Sequence, residues 1–335
     1  MSDAALPVIS LQKLIDGPGR ESEIARLRQV THEVGFFYLA DHGIPEGLAT
    51  DLFAATRRFF AQPDEVKREI SNIHSPHYRG YAHIGDELTQ GKVDWREQID
   101  FALELPARAD DLQNRPWQVL EGPNLWPESV PELRGLVEKW LELNTQVSRQ
   151  LLAAWAQSLG QSADFFEQVS QEPFPLMKIA RYPGHDGSGS DQGVGAHKDS
   201  GVLTLLLPEP GSVGLQVERA GEWIDVAAIP GLFVVNIGEL LEVATDGYLV
   251  ATPHRVLPPE PGTERYSLPY FFTSSLDGVF PRVKLPAELA AAATGVGRDM
   301  AGQEISGITG INVLKSRLRA HPEITARYHA ALIPA

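Results

Sequence analysis

Apolar positions recur along this chain at two spacings, and the spacing changes near residue 175. In the first half Ile24, Leu27, Val30 and Val34 follow one another every three to four residues, which predicts an amphipathic helix over 21–34 ended by Gly35. Ahead of it, Val8-Ile9-Ser10-Leu11 predicts a short opening strand. Phe36-Phe37-Tyr38-Leu39 predicts a buried strand, and Asp41-His42-Gly43-Ile44-Pro45 a turn into a second helix carrying Leu48, Leu52, Phe53 and Phe59. Residues 72–130 read as irregular, with many prolines, glycines and tryptophans. Ser129-Val130-Pro131-Glu132 fits a capping box. The long helix behind it carries an apolar stripe from Leu133 through Trp140, Leu151 and Trp155 to Leu159, stopped by Gly160. Its tryptophans read as core.

From residue 175 short β-like runs follow one another at 176–182, 202–207, 213–217, 223–226, 232–237, 248–256 and 266–272, punctuated by Pro and Gly. Closely spaced strands with turn signals predict a sandwich or jelly roll. Residues 184–195 hold five glycines and read as a mobile loop. The tail over 287–331 returns to helix, with Lys315-Ser316-Arg317-Leu318-Arg319 on a solvated face.

Composition narrows the chemistry. The chain has 335 residues, 43% hydrophobic and 22% charged, ordinary values for a globular protein with a sizeable core. Its 44 acidic and 29 basic residues leave a net charge of −15, which argues against a nucleic-acid or anionic-membrane partner. There is no cysteine, so thiolate catalysis, iron–sulfur clusters and cysteine zinc sites are excluded, and a metal must be held by nitrogen and oxygen. No run approaches the ~18 apolar residues of a membrane span. The start lacks a basic region followed by an apolar stretch, so no signal peptide and a cytoplasmic location are expected.

Common catalytic signatures are missing: no P-loop, no complete G-x-G-x-x-G, no G-x-S-x-G and no H-E-x-x-H. One constellation remains, His197-Lys198-Asp199 followed 55 residues later by His254. In an extended segment positions i and i+2 face the same way, about 6.6 Å apart, so His197 and Asp199 can converge on one ion. His254 on a neighbouring strand would complete the two-His, one-carboxylate set of a non-haem Fe(II) oxygenase. His-x-Asp alone is a weak signal among 10 histidines. His321-Pro322-Glu323 has similar spacing but falls in the helical tail, where i and i+2 diverge. His185 is a competing ligand, while His42, His74, His77 and His83 read as structural or surface residues. Arg265 and Ser267 share one face of the run at 266–272 and together form a carboxylate receptor; a structural salt bridge is the competing account of Arg265.

These motifs resemble the isopenicillin N synthase-like family of Fe(II)/2-oxoglutarate-dependent dioxygenases. The resemblance covers almost the whole chain. It runs through Leu6-Pro7-Val8-Ile9-Ser10, Gly35-Phe36-Phe37-Tyr38-Leu39-Ala40-Asp41-His42-Gly43-Ile44-Pro45, Arg79-Gly80-Tyr81 and Gly122-Pro123-Asn124-Leu125-Trp126-Pro127. It continues in Arg181-Tyr182-Pro183, the His197 motif, Asn236-Ile237-Gly238-Glu239, His254-Arg255-Val256 and Arg265-Tyr266-Ser267. It implies an α+β fold with a double-stranded β-helix (jelly-roll) core flanked by helices. It also implies one catalytic domain over 1–335: a mostly helical region over 1–174 packed on the core, the core with the metal site over 175–285, and a helical tail over 286–335. The implied cofactors are Fe(II) held by His197, Asp199 and His254, and 2-oxoglutarate held at its far carboxylate by Arg265 and Ser267 with Tyr182 donating a further hydrogen bond. O2 is the implied co-substrate. The implied reaction is hydroxylation, desaturation or cyclisation of a small molecule, with decarboxylation of 2-oxoglutarate to succinate and CO2.

Two positions depart from the family's pattern. Ala180 stands where many members carry Asn two positions before the tyrosine, and Glu239 stands where Asp is commoner. One alternative is a 2-oxoglutarate-independent oxidase or cyclase, since isopenicillin N synthase keeps the triad and the Arg-x-Ser pair without that co-substrate. A non-catalytic metal-binding jelly roll is another. Arg79, Tyr81, Lys178 and Phe272 are the candidates to line a substrate pocket. The basic residues among them suggest an acidic or amino-acid-like substrate, with scaffold salt bridges and core packing as the competing accounts. A monomer without nucleic-acid or membrane partners is expected.

Overall fold

The computed structural model describes residues 6–185, 187, 189–300 and 302–332. Residues 1–5, on which the signal-peptide expectation bears, lie outside these, as do 186 and 188 of the glycine-rich segment. Fourteen strands are present among the described residues. In the first half they are β1 (Val8–Ser10), β2 (Phe36–Ala40), β3 (Gly80–Ala82), β4 (Leu88–Thr89), β5 (Lys92–Val93) and β6 (Glu97–Ala102). The second half adds β7 (Leu176–Pro183), β8 (Val194–His197), β9 (Leu203–Pro208), β10 (Leu215–Arg219), β11 (Glu222–Asp225), β12 (Phe233–Ile237), β13 (His254–Val256) and β14 (Glu264–Phe272). The helices are α1 (Leu11–Ile15), α2 (Arg20–Glu33), α3 (Glu46–Phe60), α4 (Asp64–Arg68), α5 (Leu133–Ser158), α6 (Glu167–Ser170), α7 (Glu239–Ala244), α8 (Ala287–Ala290), α9 (Thr309–Ala320) and α10 (Pro322–Tyr328).

An eight-stranded sheet runs in the order β1-β2-β12-β9-β14-β7-β6-β3, and a four-stranded sheet in the order β11-β10-β13-β8. This is the jelly-roll core flanked by helices. Alternation along each strand divides the large sheet's side chains between two environments. Phe36, Tyr38, Ala180, Tyr182 and Val234 join Val194, Leu215, Val217 and Val256 of the small sheet in one buried cluster between the sheets. Phe37, Leu39, Leu205, Val235 and Tyr270 instead pack on the helical side with Trp140, Leu151 and Trp155 of α5. Burying each such large apolar side chain contributes about 1.5–3 kcal/mol. The Thr145 and Tyr270 hydroxyls bond at 2.7 Å and tie α5 to β14.

Several expectations need correction. The first half is not merely packed on the core: β1, β2, β6 and β3 are strands of the large sheet. The irregular stretch over 72–130 contains β6, six consecutive buried residues. The capping box does not form, because α5 starts at Leu133 and Glu132 caps it without a side-chain bond. The β-like run at 248–256 is strand only from His254. Its earlier amides donate out of any ladder, Leu249 to Thr245 Oγ1, Val250 to Thr31 O and Ala251 to Glu242 Oε1. Conversely, β8 emerges from the glycine-rich loop. Gly193 lets it lie close to its neighbours, since a Cβ there would sit 3.0 Å from the Val256 carbonyl and 3.2 Å from the Tyr182 ring. Arg317 does not lie on a solvated face; it is buried.

Candidate active site

β8 ends and β13 begins at directly paired residues, His197 opposite His254. Their rings lie 4.3 Å apart. Asp199 follows in the turn after β8, with Oδ1 3.5 Å from His197 Nε2 and 3.8 Å from His254 Nε2. The backbone fixes which ring nitrogens face inward. His197 Nδ1 donates to the Gly195 carbonyl at 2.8 Å and His254 Nδ1 to the Thr252 carbonyl at 3.2 Å, so in each neutral ring the lone pair lies on Nε2. The other carboxylate oxygen of Asp199, Oδ2, accepts from Asn236 Nδ2 at 2.8 Å and from the Thr204 hydroxyl. Three donor atoms thus converge within 4.8 Å of one another, each oriented by an outer hydrogen bond.

Electrostatics agrees with a divalent cation here. Burial would raise the Asp199 carboxyl, but the two histidines and Thr204 outweigh it and hold the group well below the carboxylate range. His254 is pushed down to about 4 by burial and by His197, so it is neutral at pH 7, as a ligand must be. Burial also pulls on His197, but its hydrogen bond to Asp199 and that carboxylate's charge win and raise it. Two neutral-capable imidazoles and a carboxylate, with no thiolate, form a donor set suited to Fe(II).

A second cluster, Glu87, Asp100 and His321, also brings three donor atoms within 4.8 Å. Here cations already occupy the space. Lys178 Nζ donates to both Glu87 oxygens, at 3.0 and 3.1 Å, and to Asp100 Oδ1 at 2.8 Å. Arg317 Nη1 reaches Asp100 Oδ1 at 2.8 Å, and Arg96 Nη2 reaches Glu87 Oε2 at 2.9 Å and Asp94 Oδ2 at 3.1 Å. Against the cost of burial, Arg96 and Lys178 hold Glu87 down at about 2. His321 caps the junction of α9 and α10 and is pushed down to about 4 by burial.

Arg265 and Ser267 lie on β14 directly opposite Tyr182 and Ala180 of β7. The Arg265 guanidinium donates to Ser267 Oγ at 3.3 Å and stacks 4.6 Å from the centre of the Tyr182 ring. It is 2% exposed, and no carboxylate pairs with it among the described residues. The structural salt bridge that would explain it is therefore missing. A buried cation without a counter-ion is costly, and a ligand carboxylate would relieve that cost. Tyr182 belongs to the same inter-sheet cluster as Val194 of β8 and Val256 of β13, so this receptor shares the interior with the histidine strands.

A cavity of about 650 Å³ opens on His197 and Asp199. Lys178 lines it but is committed to Glu87 and Asp100. Arg79, Tyr81 and Phe272 do not line it, and neither do His254, Arg265, Ser267 and Tyr182, which lie behind its wall. Arg79 donates to the carbonyls of His77 and Leu120, at 2.6 and 2.7 Å, and staples the irregular segment. Tyr81 donates to Glu97 at 2.6 Å, and Phe272 packs in the helical-side core. Phe271 lines the cavity instead, and strand parity could have shown this: 271, unlike 272, shares its face with 265 and 267. His185 lies against Trp95 rather than in the triad.

Sequence reasoning gave no role to Thr204 or Arg96, took Asn236 and Glu239 only as part of a family motif, and placed Arg317 on a solvated face. Glu239 opens α7, and its backbone N–H donates to the Asp199 carbonyl at 2.8 Å. Gly238 makes that approach possible, because a Cβ there would lie 2.2 Å from the Gly201 carbonyl. The Glu239 carboxylate lines the cavity and is pushed up to about 7 by burial and by Asp299.

Two family profiles match the chain: the N-terminal region of the non-haem dioxygenases in morphine synthesis over residues 6–129, and the 2OG-Fe(II) oxygenase superfamily over 173–274. The 2-oxoglutarate-dependent dioxygenase frbJ of Dothideomycetidae sp. (strain 11243) is 34% identical, over 98% of this chain and 93% of its own. The homoarginine-6-hydroxylase 2-ODD-C23.1 of Arabidopsis thaliana is 34% identical, over 82% of this chain and 86% of its own. Among solved structures, a 2OG-Fe(II) oxygenase family protein from Caulobacter crescentus superimposes with a TM-score of 0.72 at 26% identity, over 94% of this chain and 99% of its own.

Proposed function

The chain belongs to the Fe(II)- and 2-oxoglutarate-dependent oxygenases, and from that premise we propose that His197, Asp199 and His254 hold the iron while Arg265, Ser267 and Tyr182 hold the far carboxylate of 2-oxoglutarate. The family acts on small molecules with Fe(II), 2-oxoglutarate and O2. The observation that carries the assignment is the triad's outer bonding: both Nδ1 atoms and Asp199 Oδ2 are engaged, and the three free donors converge. The unpaired Arg265 supports the second half.

When bound, iron together with 2-oxoglutarate and O2 supplies the oxidant for a C–H bond, the keto acid leaving as succinate and CO2. The chain's own residues do the rest. Gly195 and Thr252 hold the two imidazoles in one tautomer. Thr204 and Asn236 aim Asp199. Arg265 orients the keto acid by its remote end, and the buried inter-sheet cluster excludes water around it.

The substrate of this reading is a small polar molecule of amino-acid size that is hydroxylated in the 650 Å³ cavity, as the hydroxylase relative supports. The catalytic unit is the whole chain, with the first half supplying sheet strands. A cytoplasmic monomer without nucleic-acid or membrane partners completes the reading; the net charge of −15 favours it, and no described helix is long and apolar enough to cross a membrane.

Succinate formation tests the proposal. Full-length protein with Fe(II), O2 and 2-oxoglutarate is expected to release succinate, and Asp199→Ala to release none. Oxygen uptake without succinate would replace this reading with the 2-oxoglutarate-independent oxidase or cyclase.

A further inference from the structure

The cavity wall is nearly self-neutral. Glu87, Asp94 and Asp100 are matched by Arg96, Lys178 and Arg317 through direct ion pairs. On the opposite side Lys198 is held by both oxygens of Glu242, at 3.1 and 3.0 Å, and Asp299 pairs with Arg319 at 3.0 Å. The metal region balances too once loaded. A divalent iron and Arg265 offset Asp199 and the two carboxylates of 2-oxoglutarate.

Glu239 is left over. The residue is 5% exposed and lines the cavity together with His197 and Asp199. No described residue hydrogen-bonds to its carboxylate, and the cation whose charge it feels, Lys198, is bonded to Glu242 instead. The backbone of Glu239 is fixed: the Gly238 close approach and the bond to the Asp199 carbonyl pin the start of α7 against the metal turn. A glutamate here reaches one methylene further into the cavity than the aspartate commoner in the family. Buried carboxylates are normally paired, so the missing partner points to a ligand.

On the oxygenase reading above, we propose that Glu239 is the substrate anchor: its carboxylate takes a cationic group, a primary ammonium or a guanidinium, of an amino-acid-sized substrate and so presents a neighbouring carbon to the metal triad. Of the expected acidic or amino-acid-like substrate, which rested on Lys178 and Arg79, the amino-acid-like half is kept and a cationic group takes the place of an acidic one. Lys178 is ion-paired to Glu87 and Asp100, and Arg79 donates to the His77 and Leu120 carbonyls and does not line the cavity. A charge-assisted bond in a secluded site discriminates strongly against neutral isosteres, because they leave the carboxylate unpaired.

The test uses full-length protein and a charge-matched panel: L-arginine, L-homoarginine and L-lysine against neutral L-citrulline and L-norleucine and anionic L-glutamate. The anaerobic visible band of iron with 2-oxoglutarate is read first, then succinate release with each compound. Wild type is expected to form the band, and cationic compounds to stimulate succinate release at least about tenfold more than their neutral partners. Glu239→Gln is expected to raise KM for the stimulating compound by roughly tenfold or more with a smaller change in kcat. Glu239→Asp should retain the preference for cations. A merely structural Glu239 would shift kcat and KM without regard to substrate charge. The proposal is overturned if the band forms and no cationic compound stimulates, if neutral compounds stimulate equally, or if Glu239→Gln leaves that KM unchanged. Absence of the band in wild type would overturn the oxygenase assignment itself, and this proposal with it.

Discussion

Two clusters in this protein each bring carboxylate oxygen and imidazole nitrogen within 4.8 Å, yet they are chemical opposites. In His197/Asp199/His254 the outward-facing atoms are tied to Gly195, Thr252, Thr204 and Asn236, and the inward ones are free. In Glu87/Asp100/His321 the inward oxygens are already bonded to Lys178, Arg96 and Arg317. Ligand type and proximity therefore do not define a metal centre. What defines it is where the hydrogen bonds of each ligand go, and whether a fixed cation already fills the gap. On the proposed assignment the first cluster is a socket. The second is a finished salt-bridge network that joins β6, β7 and α9 beside the cavity.

That contrast can be broken from either side. The largest expected effect is Asp199→Ala, which should lower succinate formation to the level of metal-free protein while the thermal midpoint holds. Lys178→Met attacks the other cluster. It leaves Glu87 and Asp100 buried without their shared cation and should cost about 3–5 kcal/mol of stability in a denaturant titration. Retained stability would mean that the network is not closed as described. Arg265→Ala should weaken 2-oxoglutarate binding by roughly a hundredfold and leave Fe(II) binding in place, read by paired metal and keto-acid titrations. Asn236→Ala releases one restraint on Asp199 and should reduce iron affinity about 10–100-fold.

The smallest effect concerns pH. Folded His321 titrates near 4, below its ordinary value of 6.5. Between those values the unfolded chain binds the extra proton, so stability rises with pH across the window and is lost as pH falls from about 6.5 towards 4. The contribution is at most about 1.4 kcal/mol per pH unit. His321→Gln should flatten that slope when urea midpoints are compared at pH 5 and 7.

Much of this architecture was legible in the sequence, and the failures share a physical cause. Periodicity found α2, α3 and α5, because an amphipathic stripe against a sheet repeats over many residues. Most second-half strands were visible for the same reason. Strand β8 was not, although it carries His197: it is four residues long and depends on glycines that permit close packing rather than on apolar side chains that announce it. Strand β6 was hidden because its buried residues include Glu97, Gln98 and Asp100, and the two carboxylates are held by partners distant in sequence, Tyr81 and Lys67 for Glu97 and Lys178 and Arg317 for Asp100. The same long-range pairing explains Arg317, which looks solvated on its own helix and is buried against Asp100, 217 residues away. At the site, spacing brought His197, Asp199 and His254 into view. It gave no sign of Thr204 and Asn236, whose role depends on which oxygen of Asp199 they hold. Of the four substrate candidates, only Lys178 reached the cavity wall.

Anaerobic titration of Fe(II) and then 2-oxoglutarate into wild type, His254→Ala and His321→Ala decides which of the two clusters binds iron. The visible charge-transfer band of the chelated keto acid should form in wild type and in His321→Ala and vanish in His254→Ala. A band that survives in His254→Ala, or that is lost with His321 instead, would contradict the account.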